Sequence, residues 1–555
     1  MDKPPSDRDL DLTEKTTTPS AAITADAKSY AFSLGDRVKS FGSEPLHSIA
    51  YLKYLARYLT SPFSKQQHHH RQHVLQKQNI PHNPFVIVYE LKPGERPVAR
   101  PYSDPESFAD FSQSGNNIIF LTGRPSAEWL NIIGSKYQLD PRIFHQHLGA
   151  LFPGQKHCYA VPSLPSRSLQ SLRLRIPTIL FIGSQGRNLG IKGLELARDK
   201  CNGELRRAFR SFQDSAISEA GTSIIRNIDI YDGSNLVIEQ EITAYVIRRG
   251  NDWSVLIWND AGHEKGFGHI PVPPTEHFTP VATDLQFCPV FFENNLTETR
   301  SSDESQLKAS SHTQQSSILL NRHYGATIDW TQSASISPLY ILQELLDFNA
   351  AAISQYINMV EEVLTDIGSP FEFPSYEHTK LEAILHYDYI KARLTRLIRS
   401  LAEVRAFLLQ PPGNWSQPST VSPKKPDEHA PRLLTKSEED FQYLFERAQS
   451  LIAICEDGKS TLISNASVQD ALRSAAETKL VTRLTKATNR VTFIFLPISF
   501  ITAVFGMNFQ EFGQGDLPLW IWAAVTVPLL LISVLFVEKG DDIRSWSRSL
   551  SRKVG

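Results

Sequence analysis

A stripe of polar residues runs through an otherwise apolar segment near the carboxyl end of the chain. Its members recur at intervals of three and four residues, which places them on one face of a helix. The stripe consists of Thr485, Thr488, Asn489, Thr492, Leu496, Ser499, Thr502 and Gly506. A single Ser or Thr in an apolar helix often bonds only to its own backbone. Five hydroxyls and an amide on one face instead favour a surface that contacts water and could line an ion path.

The stripe ends at Gly506, Met507 and Asn508, which could form the mouth of such a path. The Asn508 amide offers a carbonyl oxygen to the waters of a hydrated cation without the tight grip of a carboxylate. Mg²⁺ usually keeps several waters when it is bound, so a neutral amide suits this ion. Gly506 would let the backbone turn closely, and Met507 would pack behind the amides. The alternative is an ordinary helix C-cap, which glycine and asparagine both favour.

Two apolar segments, residues 491–505 and 517–537, flank this motif and are predicted to be transmembrane helices. The second supplies the roughly 20 residues that cross about 30 Å of hydrocarbon, and the first reaches that length by extending upstream. A buried hairpin of a soluble domain is the alternative, which the length and lack of charge of both segments disfavour. The external loop, residues 506–516, carries Glu511 and Asp516 and no cation. It suits the entrance of a path for positive ions.

Basic residues flank the two apolar segments and are absent between them. They are Lys479, Arg483, Lys486 and Arg490 before the first segment, and Lys539, Arg544, Arg548, Arg552 and Lys553 after the second. Because Lys and Arg are enriched on the cytoplasmic side, both termini are predicted to be cytoplasmic, with residues 538–555 as a basic cytosolic tail. We expect a multi-pass integral protein of the plasma membrane, with an organelle membrane as the alternative.

The Gly-Met-Asn motif in this setting resembles the signature of the CorA-type magnesium and divalent metal ion transporter family. The setting includes FLP at residues 495–497, a long predicted helix, a short outer loop and a basic tail. The similar part covers roughly residues 470–550, with fainter similarity from about Phe85 onward. The resemblance implies a homopentamer in which the first span lines the pore, the second faces lipid, and five Asn508 amides form a ring. It also implies regulatory divalent ions bound between cytosolic domains, to which Glu361, Glu362, Asp366 and Glu382 could supply contacts; a solvated acidic helix face is the favoured alternative.

Two departures from the family pattern leave the ion open. Phe505 stands where the family usually has Tyr, and residues 510–516 read QEFGQGD where MPE is common. Mg²⁺ is the expected transported or regulatory ion, with Zn²⁺, Co²⁺ and Ni²⁺ as alternatives and no other cofactor. The competing interpretations are a zinc transporter of the same superfamily and a membrane-tethered regulatory or interaction protein that has lost conduction. An enzyme is the least favoured class, because no catalytic constellation or Gly-rich phosphate loop is found.

The composition favours a mostly soluble protein with a membrane anchor. The 555 residues are 41% hydrophobic and 21% charged, which predicts two or more domains. A net charge of −2 gives no reason to expect nucleic acid. The four cysteines contain no CxxC pair, which fits a reducing compartment and argues against a thiolate metal site. The expected partners are a divalent metal ion, membrane lipid and further copies of the chain.

Residues 1–45 are polar, lack an apolar core of a signal sequence, and are predicted to be disordered. A following histidine-rich stretch could bind metal, but a polar surface segment is the better interpretation because no carboxylate or Cys completes a ligand shell. It contains His68, His69, His70 and His73. For His145 and His147 a catalytic or metal-binding role is likewise disfavoured. Each is interpreted as a surface or core residue whose hydrogen bonds are satisfied.

Residues 85–293 are predicted to form a cytosolic mixed α/β domain. The strands are expected at 85–91, 117–121, 172–183, 227–232, 241–249 and 253–261. Two helices are expected within residues 125–148, the second capped by Asp140 with Pro141 at its first position.

A helical stalk of coiled-coil type is predicted over residues 337–490, after a Ser/Gln-rich linker or insertion at 294–317. Residues 411–432 are expected to be a disordered loop, and Asp457–Gly458 a possible interruption of the last helix. The predicted fold class is therefore an α+β membrane protein. It combines the cytosolic domain, the long stalk and two C-terminal transmembrane helices in a homopentamer.

Overall fold

A computed structural model defines the fold. It describes residues 19–40, 49–63, 84–152 without 93–94 and 113–114, 171–182, 191–214, 220–262 without 251, 285–290, 337–368, 377–416, 429–505 and 518–535, with isolated positions between 317 and 330. The chain separates into two compact units, residues 1–459 and 460–555. The histidine-rich stretch, the linker apart from Ser317, the external loop and the basic tail lie outside the described residues.

An eight-stranded mixed sheet forms the centre of the first unit. Its order is β2-β1-β3-β7-β6-β4-β8, with β5 also paired to β6. Among the strand pairs that the structure describes, only β3 and β7 run parallel. The strands are β1 Val86–Glu90, β2 Ala99–Tyr102, β3 Asn117–Thr122, β4 Leu172–Ile182, β5 Asn227–Ile230, β6 Asn235–Arg249, β7 Asp252–Asn259 and β8 Leu285–Phe287. The six predicted strands are confirmed, although β6 begins at Asn235 and not at 241; β2 and β8 were not predicted.

The helices lie before, between and after the strands. They are α1 Pro19–Ser40, α2 Lys53–Thr60, α3 Pro105–Ala109, α4 Ala127–Tyr137, α5 Pro141–Leu148, α6 Ile191–Asp214, α7 Pro338–Ile341, α8 Gln343–Gly368, α9 Glu377–Leu409, α10 Gly413–Ser416, α11 His429–Phe505 and α12 Leu519–Leu535. The two-part helix prediction is confirmed by α4 and α5. The Asp140 carboxylate accepts a hydrogen bond from the Arg142 backbone N–H at 2.9 Å, and Pro141 takes the first helical position.

Two cores lie against the sheet. One joins α1, α2, α4 and α5 to the same face of β1, β3 and β7, with Trp129, Phe144 and Trp258 among its buried side chains. The other packs α6 on β5 and β6 through Leu194, Ala197 and Cys201. Burial of the sheet between helices explains why its strands read as continuous apolar runs.

Helix α1 corrects the prediction of disorder over residues 1–45, since residues 19–40 are helical. Ala31 and Leu34 are buried against the α/β core, and the Tyr30 hydroxyl donates a hydrogen bond to the Leu139 carbonyl at 2.9 Å. The sequence of α1 has few large apolar residues, so its helix depends on this tertiary contact and not on a strong apolar stripe. Residues 1–18 and 41–48 lie outside the described residues.

Two predictions about the stalk also need correction. The expected disordered loop 411–432 contains α10 and the start of α11; the buried Trp415 packs on Phe407 with ring centroids 5.6 Å apart. Its middle part, 417–428, lies outside the described residues. The expected interruption at Asp457–Gly458 is absent, because α11 continues through it. A Cβ on Gly458 would lie 2.7 Å from the Tyr387 ring, so glycine there permits close packing with α9.

A buried ion cluster joins α5 to the sheet. Arg226 donates to both oxygens of Asp260, at 2.5 and 3.1 Å, and Arg173 donates to both oxygens of Glu241, at 3.1 and 2.7 Å. His147 Nε2 lies 2.9 Å from Asp260 Oδ1, and its ring stacks on Trp258 with centroids 4.2 Å apart. Burial would raise the pKa of Glu241, but Arg226 and Arg173 outweigh it and lower that pKa to about 2.

The cluster gives His147 the structural role predicted for it. Its Nδ1 lies 2.8 Å from Thr243 Oγ1, so both ring nitrogens face protein groups. Burial lowers the pKa of His147 although Asp260 opposes this shift. His145, the other histidine of α5, packs edge-on against Tyr51 with ring centroids 4.9 Å apart.

We expect Gly134→Ala to destabilise the docking of α1. A Cβ at Gly134 would lie 2.3 Å from the Tyr30 ring, so the ring must move, at a cost of about 1–3 kcal/mol. Gly203→Ala is the matched control, because Gly203 also lies in a helix but has open space around its Cβ position. There alanine should stabilise by about 0.5–1 kcal/mol. Thermal unfolding of the two variants measures the direction of each change in stability. Equal shifts of the unfolding temperature would contradict the close contact of Gly134 with Tyr30.

Candidate functional site

The candidate site lies on the carboxyl end of α11. Among the described residues, this is the one helix long and apolar enough to cross a membrane. Helix α12, Leu519–Leu535, is a shorter apolar helix. Pro497 lies inside α11 and removes the N–H that would bond to the Phe493 carbonyl, an interruption that membrane helices tolerate.

The polar stripe predicted from the sequence lies on the exposed surface of α11. Every described member of it is exposed, from Thr485 to Thr502. At about 100° per residue, these positions centre on one side of the helix. The structure therefore brings these members together on one accessible face, whereas Gly506, Met507 and Asn508 lie outside the described residues, as do Glu511 and Asp516.

Hydroxyls on this face repeat every seven residues, and each donates to the carbonyl four residues earlier. Thr485 donates to Val481 at 2.8 Å, Thr492 to Thr488 at 2.9 Å, and Ser499 to Phe495 at 2.6 Å. Thr478 extends the series upstream with a bond of 2.7 Å to Ser474. Thr478 is not among the positions predicted from the sequence, although it continues the same seven-residue spacing. We call these four residues, Thr478, Thr485, Thr492 and Ser499, the hydroxyl ladder.

The side of α11 opposite the ladder is the covered one. Ile501 is only 6% exposed, and Ile494, Pro497, Ile498 and Phe505 are half-buried at helical spacing. These positions centre about 180° from the ladder around the helix. Helix α12 has its own less exposed face, on which Thr526 is 5% exposed. The pattern indicates that the two apolar helices pack through these faces and leave the ladder uncovered.

The basic residues before the apolar end of α11 also share a face. Lys479, Arg483, Lys486 and Arg490 are all exposed and follow one another at intervals of four, three and four. They centre about 150° from the hydroxyl ladder. Their positive charges therefore point away from the ladder, which keeps the ladder face free of fixed cations.

Within the described residues, no group of three or more His, Cys, Asp or Glu side chains could hold a metal ion. Of the acidic positions considered for regulatory ions, Glu361 forms an ion pair with Arg447 at 2.6 Å. The structure therefore does not bring Glu361, Glu362, Asp366 and Glu382 together as a ligand set.

Comparison with known proteins bears on the same part of the chain. No curated protein matches it significantly. Among the solved structures that match, two share 12% identity with this chain. The CorA magnesium transporter from Methanocaldococcus jannaschii has a TM-score of 0.29, with 81% of this chain and 96% of that chain covered. The full-length CmaX protein has a TM-score of 0.23, with 83% and 99% covered. Neither superposition is close enough to define the fold.

The family comparison covers the stalk, the hydroxyl ladder and both apolar helices. The model of the CorA-like Mg²⁺ transporter protein matches residues 318–539. This range contains the Gly-Met-Asn motif, residues 506–508. The part of the chain from residue 318 to residue 539, which includes the long helix and its apolar end, is therefore similar to the CorA-like Mg²⁺ transporter family.

Proposed function

We propose that this chain forms a membrane channel for divalent cations and that hydrated Mg²⁺ is the ion it conducts. Five copies would surround one pore, with α11 lining it and α12 on the outside. The observation that carries the proposal is the uncovered hydroxyl ladder. It lies on α11, the described helix that is long and apolar enough to span a membrane. Zn²⁺, Co²⁺ and Ni²⁺ are the alternative ions, and the experiments below separate them.

The hydrogen bonds of the ladder suit a cation that keeps its water. Each hydroxyl uses its hydrogen on a backbone carbonyl, so the oxygen lone pairs are what it presents outward. Water bound to Mg²⁺ points its hydrogens away from the ion and needs acceptors. A wall of acceptors therefore stabilises the hydrated ion without replacing its inner waters, which Mg²⁺ gives up reluctantly. Bonding of Ser and Thr to their own backbone is the alternative to a water-contacting face in the sequence. In this arrangement the same hydrogen bonds support a conducting role.

Several copies must meet for the ladder to avoid lipid. One α11–α12 hairpin covers only the opposite face of α11, because the buried Ile501 lies about 180° from the ladder. A closed ring of identical subunits would turn every ladder toward one axis. Each rung would then become a ring of hydroxyls, and successive rings would lie about 10.5 Å apart along the helix. The Asn508 amides would form the last ring, at the external mouth.

The proposed orientation places both termini in the cytoplasm. Basic residues precede the apolar end of α11 and follow α12, and none lies between the two helices. The connecting loop with Glu511 and Asp516 would then face outward and attract cations.

Asn508→Ala should abolish selective transport by the assembled protein. Reconstituted liposomes would be assayed for influx of Mg²⁺, Zn²⁺, Co²⁺ and Ni²⁺ in parallel, after the mass of the solubilised complex is shown to equal that of wild type. Ile498→Leu, on the covered face, is the control and should retain transport because it conserves apolar volume. Transport by Asn508→Ala equal to wild type in rate and ion preference would exclude the filter. No flux of any ion through the wild type would favour the membrane-tethered regulator.

Thr492→Val should reduce Mg²⁺ flux without impairing assembly. Valine keeps the shape of threonine but removes one ring of acceptors, and a loss of about 1 kcal/mol corresponds to roughly fivefold. Ser533→Ala is the matched control: Ser533 in α12 also back-bonds, to the Leu529 carbonyl at 2.9 Å, but lies outside the ladder. If both variants lose flux equally, or neither does, the ladder has no special part in conduction.

Cysteine labelling tests the orientation. A cysteine replacing Gln514 should react with an impermeant thiol reagent on intact cells, and one replacing Ser551 should react only after permeabilisation. The opposite result would show that the termini are external. The four native cysteines, Cys158, Cys201, Cys288 and Cys455, give the background, which is measured in the unmodified chain.

A further inference from the structure

A charged cavity lies in the first unit, between the sheet and helices α8 and α9. It has a volume of about 40 Å³ and opens to solvent. At roughly 10–15 Å³ per water position, this is room for about three waters, the size class of a phosphate or carboxylate group. Its polar walls are Arg175 on β4, Asp229 on β5, Glu239 on β6, Tyr356 on α8, and Arg393, Arg396 and Ser400 on α9.

The charges in the cavity do not balance. Three guanidinium groups face two carboxylates, which leaves one positive charge in excess. Arg393 donates to Asp229 at 2.5 Å, and Arg396 donates to Glu239 at 2.5 Å. Both carboxylates are therefore already bonded to a guanidinium on α9.

Arg175 is the cation left over. Its nearest carboxylate oxygen, on Glu239, is 3.6 Å away, which is too long for a hydrogen bond. Within the described residues its guanidinium donates no hydrogen bond, although its side chain is only 31% exposed. Burial raises the pKa of Glu239 in spite of the neighbouring Arg396 and Arg175. A half-buried guanidinium with its planar N–H fork unused is the group that binds oxyanions best.

We infer that this cavity is a binding site for an oxyanion of the phosphate class, with Arg175 as the principal donor and Arg396 as the second. An oxyanion would supply the negative charge that the walls lack and the acceptors that Arg175 lacks. The walls come from both the sheet and α9, so the bound anion would also strengthen the attachment of α9. The same chemistry is offered by inorganic phosphate and by the phosphate of a nucleotide, and the two are separated by experiment.

Binding is measured on the full chain in detergent micelles by equilibrium dialysis of labelled inorganic phosphate, with chloride keeping the ionic strength constant. Saturable binding is expected, and phosphate should raise the temperature of unfolding as its concentration passes the Kd. AMP is the second probe. Tighter binding of AMP than of phosphate would identify a nucleotide site, and equal binding a site for the free anion.

Arg175→Gln should weaken phosphate binding by at least about tenfold, since one charge-assisted pair is worth about 1.4 kcal/mol or more. It leaves the Arg396–Glu239 bond in place. Arg175→Lys keeps the charge without the planar fork and should bind with intermediate affinity, which keeps the test valid if the glutamine variant folds poorly. Arg206→Gln, at an exposed position of α6, is the matched control and should bind like wild type. Absence of saturable binding to the wild type, or equal loss in the Arg175 and Arg206 variants, would overturn the site.

Discussion

A row of charged side chains along β4 and β6 fixes the centre of the first unit. Residues two apart on a strand share a face, so Arg173 and Arg175 lie beside Glu241 and Glu239, with nearest N–O distances of 2.7 and 3.6 Å. The opposite face of β4 carries buried apolar residues such as Leu174 and Ile176. A shift of the pairing by one residue would turn these charges into that apolar core, and the strand register is therefore strongly specified.

The two ends of this row differ in how well their charges are paired. At the closed end, Glu241 lies near Arg226, which in turn holds Asp260, and all three are buried. Removing one member of such a cluster costs about 3–5 kcal/mol, because it leaves an uncompensated buried charge. At the other end Arg175 is 31% exposed and lacks a hydrogen-bonded carboxylate. The same row of charged side chains thus stabilises the sheet at one end and leaves a cation available to a ligand at the other.

Much of the fold could be predicted from local patterns, and the misses have a common cause. β1, β3, β4 and β7 are runs of β-branched and aromatic residues that need no partner to be identified. Helix α6 was missed because 10 of its 24 residues are charged, although Leu194, Ala197, Cys201 and Leu205 form a narrow buried stripe at helical spacing. Helix α1 gives an even weaker signal, since its burial comes from Tyr30, Ala31 and Leu34 against a partner distant in sequence.

The two candidate sites also differ in whether their residues are close together in the sequence. The hydroxyl ladder is local to one helix, so its spacing was visible in the sequence, and only its first member, Thr478, was missed. The oxyanion cavity could not be predicted, because its walls are brought together from β4, β5, β6, α8 and α9 over more than two hundred residues of chain. No short sequence motif indicates that Arg396 is hydrogen-bonded to Glu239, the carboxylate that Arg175 would otherwise bind.

Packing and not charge holds α9 against the first part of α11. The ion pairs between them, Arg405 with Glu438 at 3.0 Å and Lys459 with Asp388 at 2.7 Å, are partly exposed, and such pairs contribute about 0–1 kcal/mol each. The buried residues of both helices repeat at intervals of three and four, as in heptads. They are Tyr387, Ile390, Leu394, Leu401, Val404 and Leu408 on α9, and Phe441, Leu444, Ala448, Leu451 and Cys455 on α11. Heptad packing fixes the register of two helices closely, and a Cβ on Gly458 would lie 2.7 Å from the Tyr387 ring, so the two helices approach closely there. A ligand that repositions α9 on the sheet must therefore move this part of α11 with it.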